Sequence, residues 1–477
     1  MTQITRRGFV KATAVASVAV GAPSILSAKN PNSKLQVAYV GIGGKGGSDL
    51  KETDAHADTV CVGLCDTDKN TLKNQAKSKK KGGKKVFPQA QAFTDWREMY
   101  DKLGDKIDAV VCSTPDHMHA PVSVTAMMNG KHVYCQKPLT WSVYESRRMA
   151  EISKEKGLIT QMGTQNASKQ GKQLGVALLK ANVLGKVKAI YAWSDRPIWP
   201  QGGANDFGSD PVPAHLDWDK WLGVAPKRSY KEKYPKKWIE KNWKGKRVGR
   251  GNVYHSFGWR GWYDFGCGAV GDMCCHIVDT AFYAYGLTQP LTVIAEPKGI
   301  SADGQMCPAA QTIRFTFPGN EHTVGDTLPI TWLDGGLLPS WKEIGFPESK
   351  ETVSQNWMAV VCEKGTMMLQ MGGGMKFSSD EAKAKARAFF KTQTQIKSMN
   401  HYHSWVDGCL AGKKVLSNFE FGGNLTEALL LGTMASKFPK MELKWDAKAM
   451  KVTNNEKATG MLRRKPRKGW EVKGLDS

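Results

Sequence analysis

From residue 35 to residue 163, short unbroken apolar runs alternate with amphipathic stretches. Leu35-Gln36-Val37-Ala38-Tyr39-Val40, residues 59–65, residues 107–112, His132-Val133-Tyr134-Cys135 and residues 158–162 read as buried strands. The pattern between them predicts helices at 94–102, at 120–129 and from the capping box Ser142-Val143-Tyr144-Glu145 to about residue 156. Strands alternating with helices predict an α/β fold, a doubly wound parallel Rossmann sheet over residues 34–163. Beyond Gly163 the texture changes. A helix at 169–182 leads to a strand at 187–193, followed by a Trp-, Pro- and Gly-rich stretch to Trp262. Strands at 291–295 and 311–317, the second cleanly alternating, precede helices at 402–410 and 425–436. Residues 164–440 thus read as an α+β domain with a large, mostly antiparallel open sheet, and residues 441–477 as a basic tail of little periodicity.

The turn after the first strand is Gly41-Ile42-Gly43-Gly44-Lys45-Gly46. A helical stretch and a second strand ending on Asp66 follow it. Strand, G-x-G-x-x-G turn, helix, strand and an acid about 20 residues on form the fingerprint of a dinucleotide site. Gly41 permits the tight turn, Gly43 lets backbone approach a pyrophosphate, and Gly46 lets the helix pack against the sheet. The helix N-terminus offers unpaired N–H groups and a partial positive charge to the phosphates. A carboxylate at Asp66 accepts from the adenosine ribose hydroxyls and repels a 2′-phosphate, which favours NAD over NADP.

Composition narrows the rest. A length of 477 residues exceeds one ordinary domain, and no apolar run is long enough to span a membrane. Residues 1–28 have a basic head, a short apolar middle and small residues at the end, the form of a leader; Arg6-Arg7 with Phe9 resembles a twin-arginine signal. The expected location is the periplasm or cell envelope. Cys61, Cys65, Cys112 and Cys135 fall in predicted buried strands and read as core residues rather than a disulfide framework, and the vicinal Cys274-Cys275 read the same way. The net charge of +24 is spread over scattered lysines with no nucleic-acid module, so nucleic acid is not an expected partner. The densest run, residues 77–85, reads as a solvated loop; attraction to anionic envelope polymers or acidic glycans stays open. Half of the 16 tryptophans lie between Trp193 and Trp262, which marks that stretch as a candidate ligand-facing region.

Two constellations carry chemistry. Gln136-Lys137-Pro138 stands at the C-terminal end of a predicted strand, where open α/β sheets bind ligands; a lysine there exchanges a proton with a substrate hydroxyl. Asp272 and His276 are four apart on a predicted helix, an acid and an imidazole on one face, readable as a proton-handling pair or as a structural contact. A metal site is not expected: no paired Cys-x-x-Cys or H-E-x-x-H accompanies them.

The order of the glycine turn, Ser113-Thr114-Pro115-Asp116-His117-Met118-His119, Gln136-Lys137-Pro138 and Asp272-x-x-x-His276 resembles the glucose–fructose oxidoreductase/inositol dehydrogenase (Gfo/Idh/MocA) family. The resemblance implies that Ser113, Thr114, Pro115 and His119 line the nicotinamide side. It also implies that Lys137 is the lysine of a Glu-Lys-Pro motif and that His276 transfers protons with Asp272. Gln136 departs from the family's Glu and removes a charge expected to steady Lys137 and a cofactor hydroxyl. Residues 213–223 look like a segment of exported, Trp-rich members from carbohydrate-degrading bacteria, with Gln165, Asn166 and Arg196 as substrate-binding candidates. The implied function is NAD-dependent oxidation of a sugar, polyol or glycoside hydroxyl with a retained cofactor, in a homo-oligomer (dimer or tetramer). Two other readings stay open: an NAD-assisted glycoside hydrolase working through a transient 3-keto sugar, and a non-catalytic sugar-binding envelope protein.

Overall fold

Six parallel strands form the expected first sheet, in the order β3-β2-β1-β4-β5-β6: β1 Leu35–Val40, β2 Thr59–Cys65, β3 Gln91–Phe93, β4 Ala109–Cys112, β5 His132–Cys135 and β6 Thr160–Met162. The computed structural model describes residues 34–78, 86–203, 205, 207–301 and 303–476, so the leader at 1–28 and most of the lysine run at 77–85 lie outside the described residues. The strand order reverses between β1 and β4, and their C-terminal ends open a crevice there. Helices α1 Lys45–Asp54, α2 Lys69–Ala76, α3 Trp96–Leu103, α4 His119–Met128 and α5 Val143–Glu155 connect the strands. The capping box at Ser142 and Glu145 is present, with both reciprocal bonds. The three-residue β3 escaped the sequence reading: Gln91 and Ala92 are exposed on the sheet's edge, so no apolar run marks it.

The second domain begins with α6 Gln170–Lys180 and β7 Val187–Trp193. The tryptophan-rich stretch follows, with short helices α7 Trp218–Leu222 and α8 Lys236–Asn242, and then α9 Cys275–Tyr285. Strands β8 Thr292–Lys298, β9 Ala310–Pro318, β10 Thr327–Asp334, β11 Trp357–Cys362, β12 Gly365–Gln370 and β13 Met375–Phe377 complete most of a nine-stranded sheet. All its pairings are antiparallel except β7 with β10. Helices α10 Asp380–Thr392, α11 His401–Ala411 and α12 Phe419–Ala435 follow. α12 starts six residues before the predicted 425, because Asn418 caps it through Phe421 N.

Two elements bind the domains together. α11 lays Tyr402, Trp405, Val406 and Cys409 on one face of the parallel sheet, against a cluster that includes Leu35, Val37 and Tyr39. α12 packs on α5 at Gly423, where a Cβ would meet Ala150 Cβ at 2.9 Å.

The C-terminal segment is not a loose basic tail. β14 Leu443–Asp446 extends the large sheet beside β8, and β15 Lys451–Val452 and α13 Glu456–Gly460 follow it. The chain then returns to the first domain: Arg464 pairs with the buried Glu145 at 3.3 Å, and the Arg97 guanidinium stacks 4.0 Å from the Trp470 ring. Its anchors, Leu443, Trp445, Val452, Leu462, Trp470, Val472 and Leu475, are buried but irregularly spaced among lysines and arginines, so no period announced them. The tryptophan-rich stretch largely packs on itself. Trp218, Trp221, Trp238, Trp243 and Trp262 join Phe207, Tyr230, Tyr234, Tyr254 and Phe265 in a separate aromatic core. Trp218 and Trp221 stack at 4.7 Å and 13°. Most of these rings support a wall rather than face a ligand.

Candidate active site

One cavity of about 920 Å³ runs along the crevice, from the glycine turn and Asp66 at one end to Lys137, Asp272 and His276 at the other. At the first end, Gly41 has a φ of 78°, and a Cβ there would lie 2.8 Å from the Ser113 carbonyl group. A Cβ on Gly46 would sit 1.7 Å from Gly41 O, so the helix meets the turn only because Gly46 lacks one. No side chain caps the N-terminus of α1 and no acid stands in its first turn, so apart from Gly46 N, which donates to Gly43 O at 2.9 Å, its first N–H groups stay available to an anion. This cradle fits the pyrophosphate of NAD.

Asp66 lines the same end, but its carboxylate is already engaged: Ile42 N donates to Oδ2 and Asp68 N to Oδ1, both at 2.9 Å. Burial raises its pKa against the pull of those amides. Each oxygen keeps a further lone pair for a ribose hydroxyl, so Asp66 both shapes the glycine turn and offers an acceptor. Asp68, beside it, was not singled out from sequence. His215 Nδ1 and His255 Nε2 each stand 3.1 Å from its carboxylate, and against the effect of burial His255 and the Thr71 and Asn70 amides hold its pKa down at about 2. The tryptophan-rich wall is thereby tied to the β2–α2 loop, a tie reinforced by Lys69 N donating to His215 O and Asp217 N to Thr67 O.

Ser113, Thr114 and Pro115 follow β4 and line the middle of the cavity. His119 lines it too, but its ring is spent on structure: Nδ1 lies 2.8 Å from Pro138 O and Nε2 2.9 Å from Thr114 O. Burial lowers its pKa to about 4. Gln136 does not steady the Lys137 side chain. Its Nε2 donates to Asp49 Oδ2 at 2.8 Å, in space left by Gly163. Asp49, a fully buried residue of α1 missed in the sequence, also accepts from Ser113 Oγ at 2.8 Å, Tyr402 OH at 2.8 Å and Lys45 Nζ at 2.6 Å. Its four-residue spacing from Lys45 was the only available signal.

Lys137 Nζ instead donates to Asp272 Oδ1 at 2.8 Å and Asp272 O at 2.7 Å. Asp272 also faces Arg260 Nε at 3.4 Å and Arg196 Nε at 3.5 Å. Burial opposes its charge, yet Lys137, Arg260 and Arg196 hold its carboxyl well below the usual carboxylate range.

The expected side-by-side Asp272–His276 pair is therefore corrected: the carboxylate faces three cations. The helical geometry differs as well. Residues 270–274 form a π-turn ahead of α9, a feature that recurs at functional sites. His276 lines the cavity, and its Nδ1 is buried with no hydrogen-bond partner among the described residues. Burial and the Lys137 charge push its pKa well below the ordinary value, so the imidazole is neutral. Its backbone is fixed from behind by the buried Lys172, which donates to His276 O at 3.1 Å and pairs with Asp279 at 2.5 Å.

Gln165, Asn166 and Arg196 all line the cavity, with Gln165 Nε2 donating to Tyr134 OH at 2.9 Å. Trp199, Trp221, Arg250, Trp259 and Arg260 also line the cavity, all inside the tryptophan-rich stretch flagged as ligand-facing though not named there singly; Asp116 lines it too, with no role assigned to it from sequence. Among the described residues no group of three or more His, Cys, Asp or Glu forms a metal site, and all ten cysteines are buried and unpaired.

Residues 35–164 match the family described as "Oxidoreductase family, NAD-binding Rossmann fold", the Gfo/Idh/MocA family of the resemblance. A glycosyl hydrolase family 109 protein of Solibacter usitatus is 30% identical over 162 residues, covering 32% of this chain and 37% of that protein. The scyllo-inositol 2-dehydrogenase (NAD(+)) of Bacillus subtilis is 33% identical over 119 residues, covering 24% of this chain and 32% of its own. The chain thus spans about a third of the length of these curated relatives. Among solved structures, the WlbA dehydrogenase of Chromobacterium violaceum, in complex with NADH and UDP-GlcNAcA, aligns with a TM-score of 0.54 at 14% identity, covering 87% of this chain and 96% of that one. At that identity the likeness establishes the shared two-domain fold. The matched residues are those of an NAD-binding Rossmann fold.

Proposed function

We propose that this chain is an NAD-dependent oxidoreductase acting on a hydroxyl of a sugar, polyol or glycoside. The observation that carries the reading is a single cavity with the glycine turn and Asp66 at one end and Lys137, Asp272 and His276 at the other. When bound, NAD supplies the hydride acceptor; the chain's own residues handle the proton. His276 is neutral, the state in which an imidazole takes a proton from a hydroxyl. The Lys137 ammonium, anchored on Asp272, stabilises the negative charge that grows on that oxygen. Gln165, Asn166 and Arg196 border the same space and orient neighbouring hydroxyls. The intact glycine cradle and the proton-handling groups argue against a purely sugar-binding envelope protein.

The ties from Asp68 to His215 and His255 support a cofactor that stays bound between turnovers. A retained cofactor fits export of the folded protein through the Arg6-Arg7 leader, to an envelope where free NAD is scarce. The open face of the nine-stranded sheet, where Arg314 and Glu296 pair, is the surface for a homo-oligomer contact. A second reading is favoured by the glycosyl hydrolase family 109 relative: a redox-neutral glycosidase in which the sugar is oxidised, cleaved and reduced within one site.

Mass spectrometry of ligand released from denatured protein, followed by a glycoside panel, tests both. NAD should be released; NADH accumulation marks a dehydrogenase, and hydrolysis without NADH marks the glycosidase. Lys137→Ala and His276→Ala should each lower turnover by roughly 10²- to 10⁴-fold with NAD content unchanged. Because His276 works as a base only when neutral and its pKa is depressed, activity should fall with acid only below the ordinary imidazole value of 6.5. Full turnover per folded molecule in either variant would remove the residue from the chemistry.

A further inference from the structure

The substrate end of the cavity holds more positive charge than proton transfer requires. Lys137, Arg196, Arg250 and Arg260 all line it, while its acidic lining residues there are Asp272 and Asp116. Burial lifts Asp116 to about 7, against the pull of Arg260 and Lys137, so near neutral pH it offsets only part of one charge. Asp195 stands behind Arg196 at 2.6 Å and is shared with Arg247 at 3.8 Å. Among the described residues, Lys137, Arg196, Arg247 and Arg260 share two carboxylates, those of Asp195 and Asp272, and Arg250 adds a further cation to the cavity lining.

Arg260 is the best placed of the cations. Its Nη1 donates to Phe257 O at 3.2 Å and its Nε points at Asp272 at 3.4 Å. The guanidinium lies 4.3 Å from the Trp259 ring and 4.7 Å from the Phe257 ring, which hold the fork in one plane. Its Nη2 makes no hydrogen bond among the described residues. A planar, partly dehydrated guanidinium with free donors is suited to a carboxylate. The overall charge of +24 adds long-range attraction of the same sign.

We propose that the cavity takes an anionic sugar, a hexuronate whose carboxylate docks on Arg260 with Arg196 and Arg250 beside it. The proposal rests on the oxidoreductase reading for the position of the reacting hydroxyl, but not for the binding itself. Arg196 and Arg260 become the residues that separate acidic from neutral substrates, while Lys137 and His276 treat the hydroxyl of either alike.

The test is calorimetry on the NAD-loaded protein with methyl β-glucuronide and methyl β-glucoside, and with N-acetylglucosamine 6-sulfate against N-acetylglucosamine. The glucuronide should bind about tenfold or more tighter than the glucoside, with the margin shrinking as salt is raised. Arg260→Met and Arg196→Met should each cut the glucuronide-to-glucoside affinity ratio by about fivefold or more, with the fold checked by circular dichroism. Equal affinity for the two sugars, or ratios unmoved in both variants, would overturn the proposal. Preference for the sulfated sugar alone would overturn the carboxylate assignment. Discrimination in binding with no turnover of any sugar would instead overturn the oxidoreductase reading and leave the anionic site standing.

Discussion

The carboxylate of Asp49 joins the cofactor helix, the turn after β4, the turn after β5 and α11 through Lys45, Ser113, Gln136 and Tyr402. It supplies, from another element, an anion beside the position where Gln136 brings only an amide. Gln136→Glu, which would recreate the commoner family motif, would instead set two carboxylates 2.8 Å apart in a buried site. That change should cost roughly 1–3 kcal/mol of stability and weaken NAD binding. Adding Asp49→Asn should restore both by returning a donor to the pair; thermal melts and NAD titration of the parent protein and the two variants measure it. An unchanged melt for Gln136→Glu would show that the amide–carboxylate bond is dispensable. The departure at Gln136 was readable in the sequence, but its partner, 87 residues away, was not. Arg260, 12 residues before Asp272, was hidden because no motif or period joins the two, whereas the glycines, Asp66 and Lys137 were legible because strand ends and turns announce themselves locally.

At the scale of elements, α6 and α9 meet at one buried ion pair, Lys172 with Asp279, both 1% exposed. Its position behind His276 makes it a support for the imidazole proposed as the base as well as for the packing. Lys172→Ala strands a buried carboxylate and should lose about 3–5 kcal/mol, whereas Lys172→Met with Asp279→Leu should recover most of that. Chemical denaturation of both variants checks the pair. A full recovery of stability without recovery of turnover would separate its positioning role from its structural one. The pair was invisible in sequence because a lysine in an amphipathic stretch ordinarily reads as solvated. The parallel sheet was legible for the opposite reason: its strands are buried on both faces and so are continuous apolar runs. The tryptophan-rich wall and the last 35 residues lack any period, and only tertiary contacts order them.

For the whole molecule, the returning C-terminal segment closes the structure on itself. Trp470 lines the cavity near the glycine turn's end while Leu475 accepts from Tyr144 of α5. Ending the chain before Leu443 should therefore lower the melting midpoint, expose dye-binding apolar surface and weaken NAD binding together; loss of one without the others would argue for independent units. α11 carries a further consequence. Its residues Tyr402, Trp405, Val406 and Cys409 cover a face of a sheet whose last strand ends at Met162. A ribosome adding about 5–20 residues each second needs about 12–50 s to make the intervening ~240 residues. Through that interval the nascent first domain has its strands but not its cover, and an apolar surface stays open to chaperones and to neighbouring chains. The order of synthesis, more than the final stability, sets when this protein is most vulnerable to aggregation.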